Sequence, residues 1–587
     1  MQEKEFNLLD EPWIRVITPS LEQKEVSLTD ALIHAHEYKG LSGEMPTQDA
    51  AVLRVLLAAA VTCFYRYDAC GRPVRLVSGD EEEDELEEDE EEEAQDADDD
   101  AEDANEEGER TVLRRWQRYW KKGKFPEQAV REYLETWRER FWLFHPKTPF
   151  WQVKDLRYGT DYGVECLFGN IKESNNGKTR HHFSMTEGEE LNRLGYGEAA
   201  RWLVHLNAYA VNVKTDKEAP GVGLPVGVGR LGQLGFVMVN GENLFQILML
   251  NLCARNTDKD IWAEPKPVWE QAVRTGQGCE REEFDNLPEL YTIQSRRIML
   301  KRDEGGSITG FRAMGGDFCP VEDAFCEPMT IWKSKKEDKK KDQNSPHFLP
   351  QEHDPAVRAW REFPALLDFG GSEDEKRKKH IPGVVQWIQT LYSKKLIPSD
   401  HLITFRMIGM IYGDQMKYTY GDCVNDSLTL SADLLAELNG VWRKYITDQV
   451  EKCQAVAKDA LYHIANKFCK LLYGDGSAKS GIREALVGQY YFSIDAPFRE
   501  WLVSIKPTSD SPDEKQAEWE KQSYYYARKT VEDYISTLGA DLYLNREEEI
   551  KGGRKRLLTI PGIMNEYLWE LKKIYNKTDN AERGGRK

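Results

Sequence analysis

Apolar residues change their spacing along the chain. The opening, Phe6-Asn7-Leu8-Leu9-Asp10-Glu11-Pro12-Trp13-Ile14-Arg15-Val16, is strand-like and broken by Pro12. Residues 50–63 (AAVLRVLLAAAVTC) form an unbroken apolar run that predicts a core helix. Phe236-Val237-Met238-Val239, ended by Asn240-Gly241, predicts a short strand and a turn. From about Leu430 the texture shifts. Leu430, Leu434, Leu435, Leu438, Val441, Trp442, Tyr445 and Ile446 keep steps of three and four, and the pattern runs on towards Leu472. Three further helical stretches are predicted near 481–505, 513–539 and 562–576, separated by Gly-, Pro- or charge-rich breaks. Four helices with short connections suggest an antiparallel bundle. The pattern therefore divides the chain near residue 422 and predicts an α+β protein. A mixed α/β part at 1–422 is followed by a four-helix bundle at 423–587.

Length and charge refine this. At 587 residues the chain has room for two to four domains. Its net charge is −21, but residues 80–109 hold 22 Asp or Glu and no Lys or Arg, so the rest of the chain stands at +1. The acidity is one tract. Too poor in apolar groups to bury a core, it predicts a disordered insertion over 78–110. It is either a solubilising segment or a polyanion that competes for a basic surface of the same chain. Ten scattered Cys without a secreted-domain spacing, a start without signal-peptide character and no run of eighteen apolar residues point to a cytoplasmic protein with no membrane partner.

Candidate chemistry is sparse. After the tract, TVLRRWQRYWKKGKF interleaves Arg114, Arg115, Arg118, Lys121, Lys122 and Lys124 with Trp116, Tyr119 and Trp120. Aromatics on one helix face and charges on the other fit either a nucleic-acid backbone contact or an amphipathic surface helix. Residues 220–235 (PGVGLPVGVGRLGQLG) carry six glycines, and Gly227, Gly229 and Gly232 spell G-x-G-x-x-G. A dinucleotide site needs a strand before that pattern and a helix after it. Here Pro220 and Pro225 precede it and a strand follows, so the Rossmann reading fails. No Walker A, H-E-x-x-H or G-x-S-x-G pattern occurs. Cys319 and Cys326 have no second pair, and His181-His182 has no third ligand in view, so no metal site and no cofactor are expected. The chain reads as a binding scaffold rather than an enzyme.

Three segments together carry a resemblance. FNLLDEPWIRV at 6–16, FHPKTPFWQ at 144–152 and LYTIQSRRI at 290–298 resemble CasA, the large subunit of the type I-E CRISPR surveillance complex, Cascade. RMIGMIYGDQMKY at 406–418, followed by a helical region, extends the match. The resemblance implies a non-catalytic subunit that finds the protospacer-adjacent motif (PAM) in duplex DNA and helps open the duplex for the guide RNA. It also implies a docking surface for a helicase–nuclease. Other Cascade subunits, CRISPR RNA and duplex DNA are the implied partners. Carried over by position, a glutamine wedge falls on Gln415, flanked by Asp414 and Met416. A glycine-rich loop along the minor groove falls on Gly221 and Gly223, with Leu224 and Pro225 in place of other glycines. Without a Cβ, such residues let the main chain approach base edges closely. Arg312 is the candidate for a basic residue directed into the same groove. The polar stretch with Lys178, Arg180 and Phe183 corresponds to a segment contacting RNA or a neighbouring subunit. The acidic tract lies outside the family pattern. A metal-dependent nucleic-acid enzyme and a purely structural assembly subunit stay open as alternatives.

Overall fold

The computed structural model describes residues 4–76, 104–169, 193–211, 227–255, 262–274, 284–318, 327–334, 348–367, 379–398, 401–413, 420–436, 441–474, 480–550 and 554–575. The chain divides into two compact units. The first comprises Met1–Val357, Asp368–Leu396 and Ile403–Ser427; the second comprises Arg358–Leu367, Ile397–Leu402 and Leu428–Lys587.

The first unit is built around the helix Pro46–Arg66, which grows from the apolar run read in the sequence and starts with Pro at its first position. By length and composition it would suit a membrane, yet it is buried along nearly all its length in this unit. The helices Tyr196–Tyr209 and Leu287–Tyr291 pack on it. Among the described residues this unit holds five small sheets, three of which are described here. Ile14–Ile17 lies between Gln23–Val26 and Gly40–Leu41, and its alternating burial is that of a half-covered strand. Ile308–Gly315 lies between Thr160–Gly163 and Arg296–Arg302. Leu402–Tyr412 lies between Phe236–Asn240 and Tyr420–Ser431. The strand expected at 236–239 is present and ends at the Asn240-Gly241 turn.

The second unit contains the helices Val441–Ala455, Tyr462–Tyr473, Ser480–Ser504, Pro512–Ser536 and Ile560–Tyr575. A π-helical segment, Val456–Leu461, joins the first two. An aromatic cluster fills its core. Trp360 stacks on Phe498 at 4.4 Å, and Trp519 meets Phe498 at 5.0 Å and Trp501 at 5.5 Å. The mixture of helix and strand matches the α+β expectation at that level.

Three local expectations are corrected. Leu430 does not begin a helix; it lies in the strand Tyr420–Ser431, one residue before its end, and a short helix, Ala432–Ala436, follows. The charge-rich break between the last two predicted helices holds a hairpin, Asn545–Ile550 against Arg554–Thr559. There Glu548 faces Arg556 and Glu549 faces Lys555, so opposite charges on paired strands support a segment poor in strand-forming residues. Finally, the end of the acidic tract is ordered as helix. Ala104–Lys122 is continuous, because Val112, Leu113, Trp116 and Tyr119 bury one face and the helix extends back from that anchored turn. Residues 77–103 lie outside the described residues.

Candidate nucleic-acid interface

The glycine-rich run lies half inside the description. Gly221 and Gly223 lie outside the described residues, which resume at Gly227. Gly227 has φ +66°, the left-handed region that favours glycine. A Cβ on Gly229 would stand 2.5 Å from the Ala208 carbonyl oxygen, and one on Gly232 would collide with the Tyr412 hydroxyl. Each glycine of the G-x-G-x-x-G spacing thus has a local structural reason: a left-handed backbone at Gly227, packing on the end of the helix Tyr196–Tyr209 at Gly229 and the Tyr412 ring at Gly232.

That helix end and the returning segment at Gly227 are held by a buried arginine. Arg296 begins the strand Arg296–Arg302, and its backbone N–H donates to Asn207 Oδ1 at 3.1 Å. Its guanidinium Nη2 donates to the carbonyls of Val211 (3.0 Å) and Gly227 (2.6 Å), and more weakly to Ala210 (3.4 Å). Nη1 donates to Ser295 O at 2.8 Å. Val211 and Gly227 are the two described residues that flank 212–226. A planar fork with several fixed donors suits this task, whereas an ammonium offers one compact centre. The Gly229 N–H to Ala210 O bond (2.9 Å) closes the same neck. Arg296 lies within the sequence motif at 290–298, which by itself gives it no role. Its acceptors at Gly227 and Val211 are 69 and 85 residues away, which no local pattern signals.

A second segment starts from the same place. Leu402–Tyr412 pairs with Phe236–Asn240, Ile408 opposite Phe236, so the strand after the glycine run is the sheet partner of the strand before 414–419. Asp414, Gln415 and Met416 lie outside the described residues. Just before them, the Tyr412 hydroxyl donates to the Tyr209 carbonyl at 2.8 Å, satisfying one of the carbonyls a helix leaves open at its end.

Phe183, Lys178 and Arg180 lie outside the described residues as well, but the flanks of their segment return to this region. Gly169 abuts the ring of His205 on the helix Tyr196–Tyr209. Leu194 exchanges two backbone hydrogen bonds with Ile308, at 3.0 and 3.1 Å. Burial pushes the His205 imidazole down to about 3, so the ring is neutral at pH 7 and its Nε2 lies 3.1 Å from Thr47 Oγ1.

Arg312 stands on the central strand of the neighbouring sheet, opposite Asp161. Its Nε and Nη2 meet the two oxygens of Asp161 at 2.6 and 2.9 Å, and Lys301 reaches the same carboxylate at 2.8 Å. The hydrogen bonds from Arg312, then the Lys301 ammonium, hold the Asp161 carboxyl well below the usual range. Arg312 is therefore a partly exposed cation already bound as a fork to a carboxylate.

The basic–aromatic helix Ala104–Lys122 departs from its sequence reading at one residue. Arg115 is buried, not on the charged surface, and donates to the carbonyls of Phe64 (3.0 Å) and Tyr65 (3.1 Å). Those carbonyls belong to the last turn of Pro46–Arg66, where a helix lacks internal donors. Tyr119 donates to Tyr67 O and Asp68 O, and Lys122 to Ala69 O at 2.6 Å. The helix thus caps the end of the core helix. The signal was present: positions 112, 115, 116 and 119 share one face, so Arg115 falls among the apolar residues. Arg114, Arg118 and Lys121 are exposed.

These features define a scaffold whose first unit gathers the flanks of the segments 170–192, 212–226 and 414–419 onto one helix and two sheets. Residues 7–530 match the family described as CRISPR-associated protein Cse1, and the chain belongs to that family. A CasA/Cse1 protein of Thermus thermophilus is 25% identical over 530 residues, covering 86% of this chain and 88% of the relative. The crystal structure of Thermobifida fusca Cse1 aligns with TM-score 0.76 at 26% identity, covering 98% of both chains. Cse1 of Acidimicrobium ferrooxidans shares the fold at TM-score 0.72 and 22% identity, over 98% of this chain and 99% of that one. A chain of a solved CRISPR RNA-guided surveillance complex also shares the fold, at TM-score 0.63 and 16% identity, over 97% of this chain and all of that chain.

Proposed function

We propose that this chain is the large, non-catalytic subunit of a type I-E CRISPR RNA-guided surveillance complex in the cytoplasm. In this reading it recognises the PAM in duplex DNA, helps open the duplex for the guide RNA and offers a docking surface to a helicase–nuclease. The glycine segment with Gly221 and Gly223 lies along the minor groove, Arg312 enters the same groove, and Gln415, between Asp414 and Met416, holds the first base pairs apart. Phe183, Lys178 and Arg180 contact RNA or a neighbouring subunit. Arg114, Arg118, Lys121 and Lys122 add sequence-independent phosphate contacts. Residues 423–587 act as a four-helix bundle that meets other subunits.

Membership of the Cse1 family supports this reading. The observation that carries it is the shared base of two segments: Tyr209 and Gly227, which bracket the glycine segment, and Tyr412, which precedes the glutamine segment, meet within one hydrogen-bonded cluster with Arg296. Groups that read a short duplex motif and groups that part the adjacent base pairs have to act within a few base steps of each other. Minor-groove reading distinguishes bases only coarsely, which suits a complex accepting several PAMs.

The test compares wild-type complex with Gln415→Ala and with the double variant Gly221→Val, Gly223→Val. Holding a base step unstacked costs a few kcal/mol, so Gln415→Ala should slow guide–target pairing by roughly 10- to 100-fold while affecting duplex association less. The valine pair should weaken PAM binding and leave assembly intact. If both variants match wild type on linear DNA, this reading is wrong. Metal-dependent cleavage of duplex by the isolated chain would favour the enzyme alternative instead.

A further inference from the structure

The sheet that carries Arg312 sets two cations on one carboxylate. Across its three strands one row reads Asp161, Arg312, Met299, and a second row reads Gly163, Gly310, Lys301. Residues two apart on a strand share a face, so both rows lie on the same side of the sheet. Gly310 has no room for a side chain, since a Cβ there would stand 2.5 Å from the Tyr162 carbonyl oxygen. Lys301 can therefore cross the central strand above Gly310 and reach Asp161 on the diagonal, at 2.8 Å. Arg312 is oriented by a third bond, from Nη1 to the Leu156 carbonyl at 3.2 Å, which leaves Nε and Nη2 as the fork on Asp161. The trio is open to solvent, with side chains 28% (Arg312), 38% (Lys301) and 48% (Asp161) exposed. One carboxylate against two cations leaves this face with a net positive charge.

We infer that Asp161 is an internal competitor for duplex DNA: in the free chain it occupies the Arg312 fork and the Lys301 ammonium, and on binding it gives both up to a backbone phosphate. The inference rests on the reading above that Arg312 meets duplex DNA. It adds Lys301 as a second contact and Asp161 as the residue that restrains both. A phosphate offers a guanidinium the same pair of oxygens as a carboxylate, so the fork needs no rebuilding for the exchange. The released Asp161 returns to water, because it is already half exposed. A buried pair such as Arg297–Asp317, each 1% exposed, could not exchange in this way, since its carboxylate would be stranded without solvent. Phosphate contacts carry no sequence information and hold a protein at any site, so a weak internal restraint on them limits the time spent on DNA without the motif.

The experiment measures the affinity of the assembled guide complex for duplex that the guide cannot pair with, PAM-bearing or PAM-less, over a range of salt. Asp161→Asn keeps an oxygen for Arg312 and removes the charge. Asp155→Asn is the control: that exposed carboxylate lies 3.7 Å from Lys154, so the variant makes the same charge change and frees no fork. An exposed ion pair shifts an equilibrium by up to roughly fivefold, so Asp161→Asn should bind PAM-less duplex about 2- to 5-fold more tightly at low salt. The fall of log affinity with log salt should steepen by about one, the value of one further phosphate contact. PAM-bearing duplex should gain by a similar factor, because the carboxylate has to give way in either case. Adding Arg312→Gln to Asp161→Asn should remove most of the gain. The inference is overturned if Asp161→Asn binds no more tightly than Asp155→Asn, or if the gain survives Arg312→Gln in full. Arg312→Gln alone tests the functional reading separately. Equal weakening on both duplexes would remove Arg312 from PAM reading and leave the phosphate exchange standing.

Discussion

Both units bury aromatic rings, but among the described residues only the first also buries arginine. In the first, Arg54 forms a two-pronged pair with Glu327, both bonds 2.7 Å and both residues at most 3% exposed. Arg297 and Asp317 form a second such pair, each 1% exposed, while Arg296 and Arg115 spend their donors on main-chain carbonyls. In the second unit, Trp360, Phe498, Trp501 and Trp519 interlock, and described ion pairs such as Lys452–Glu520 sit near the surface. The difference follows from the backbone each unit must satisfy. Helices in regular contact satisfy their own main-chain groups and need only apolar faces. A unit made of short strands and helix ends leaves carbonyls open at many places. A buried donor with five N–H groups closes several at once. Buried arginine here marks where irregular backbone is held in shape, and the neck around Arg296 is the clearest instance.

The strongest break of that contrast is Arg54→Met, which strands the Glu327 carboxylate in the core. Removing one partner of a buried pair costs about 3–5 kcal/mol, and urea unfolding should read it as a lowered midpoint at unchanged slope. Adding Glu327→Gln should recover part of the loss; a single variant within about 1 kcal/mol of wild type would place this pair with surface pairs. Arg296→Lys comes next. With carbonyls left open at about 1–3 kcal/mol in total, the isolated chain should lose that much stability, and PAM discrimination by the complex should fall together with it. Retained discrimination would mean the neck tolerates looseness.

In the second unit Lys452→Ala should cost no more than about 1 kcal/mol, because Glu520 lies near solvent and also accepts from Gln516. A larger loss would show that this unit, too, depends on its charges. The last effect is read from the pH dependence of stability, and it concerns Asp49. Burial pushes its carboxyl up to about 6, against a lowering contribution from the Gly43 N–H at 2.7 Å. A folded-state value above the unfolded one means the native state binds the proton more tightly, so this contribution is present at low pH and is lost as pH rises through about 6. Asp49→Asn keeps an acceptor for Gly43 and should flatten the fall in stability between roughly pH 4 and 6; an unchanged slope in thermal melts across that window would rule Asp49 out as its source.

Local periodicity alone determined much of this protein. The apolar run at 50–63, the strand at 236–239 and the helices at 480–504, 512–536 and 560–575 follow from spacing, because each buries a face whose repeat is the repeat of the element itself. Even the burial of Arg115 was legible in the face it shares with Trp116 and Tyr119. The hairpin at 545–559 was less so, since its charged strands are paired by partners across the turn rather than by propensity. Motif spacing carried the family, and with it the candidate residues Gln415, Gly221 and Gly223, without saying what holds them. Only the tertiary structure decided that Arg54 meets Glu327, that Arg312 is bound to Asp161, that Arg296 joins Val211 to Gly227 and that Tyr412 fits against Gly232. These partners lie between 69 and 273 residues apart. A buried donor must be satisfied by whichever acceptor the folded backbone brings within hydrogen-bond reach, and that choice is made by chain geometry at long range, where no repeat in the sequence can register it.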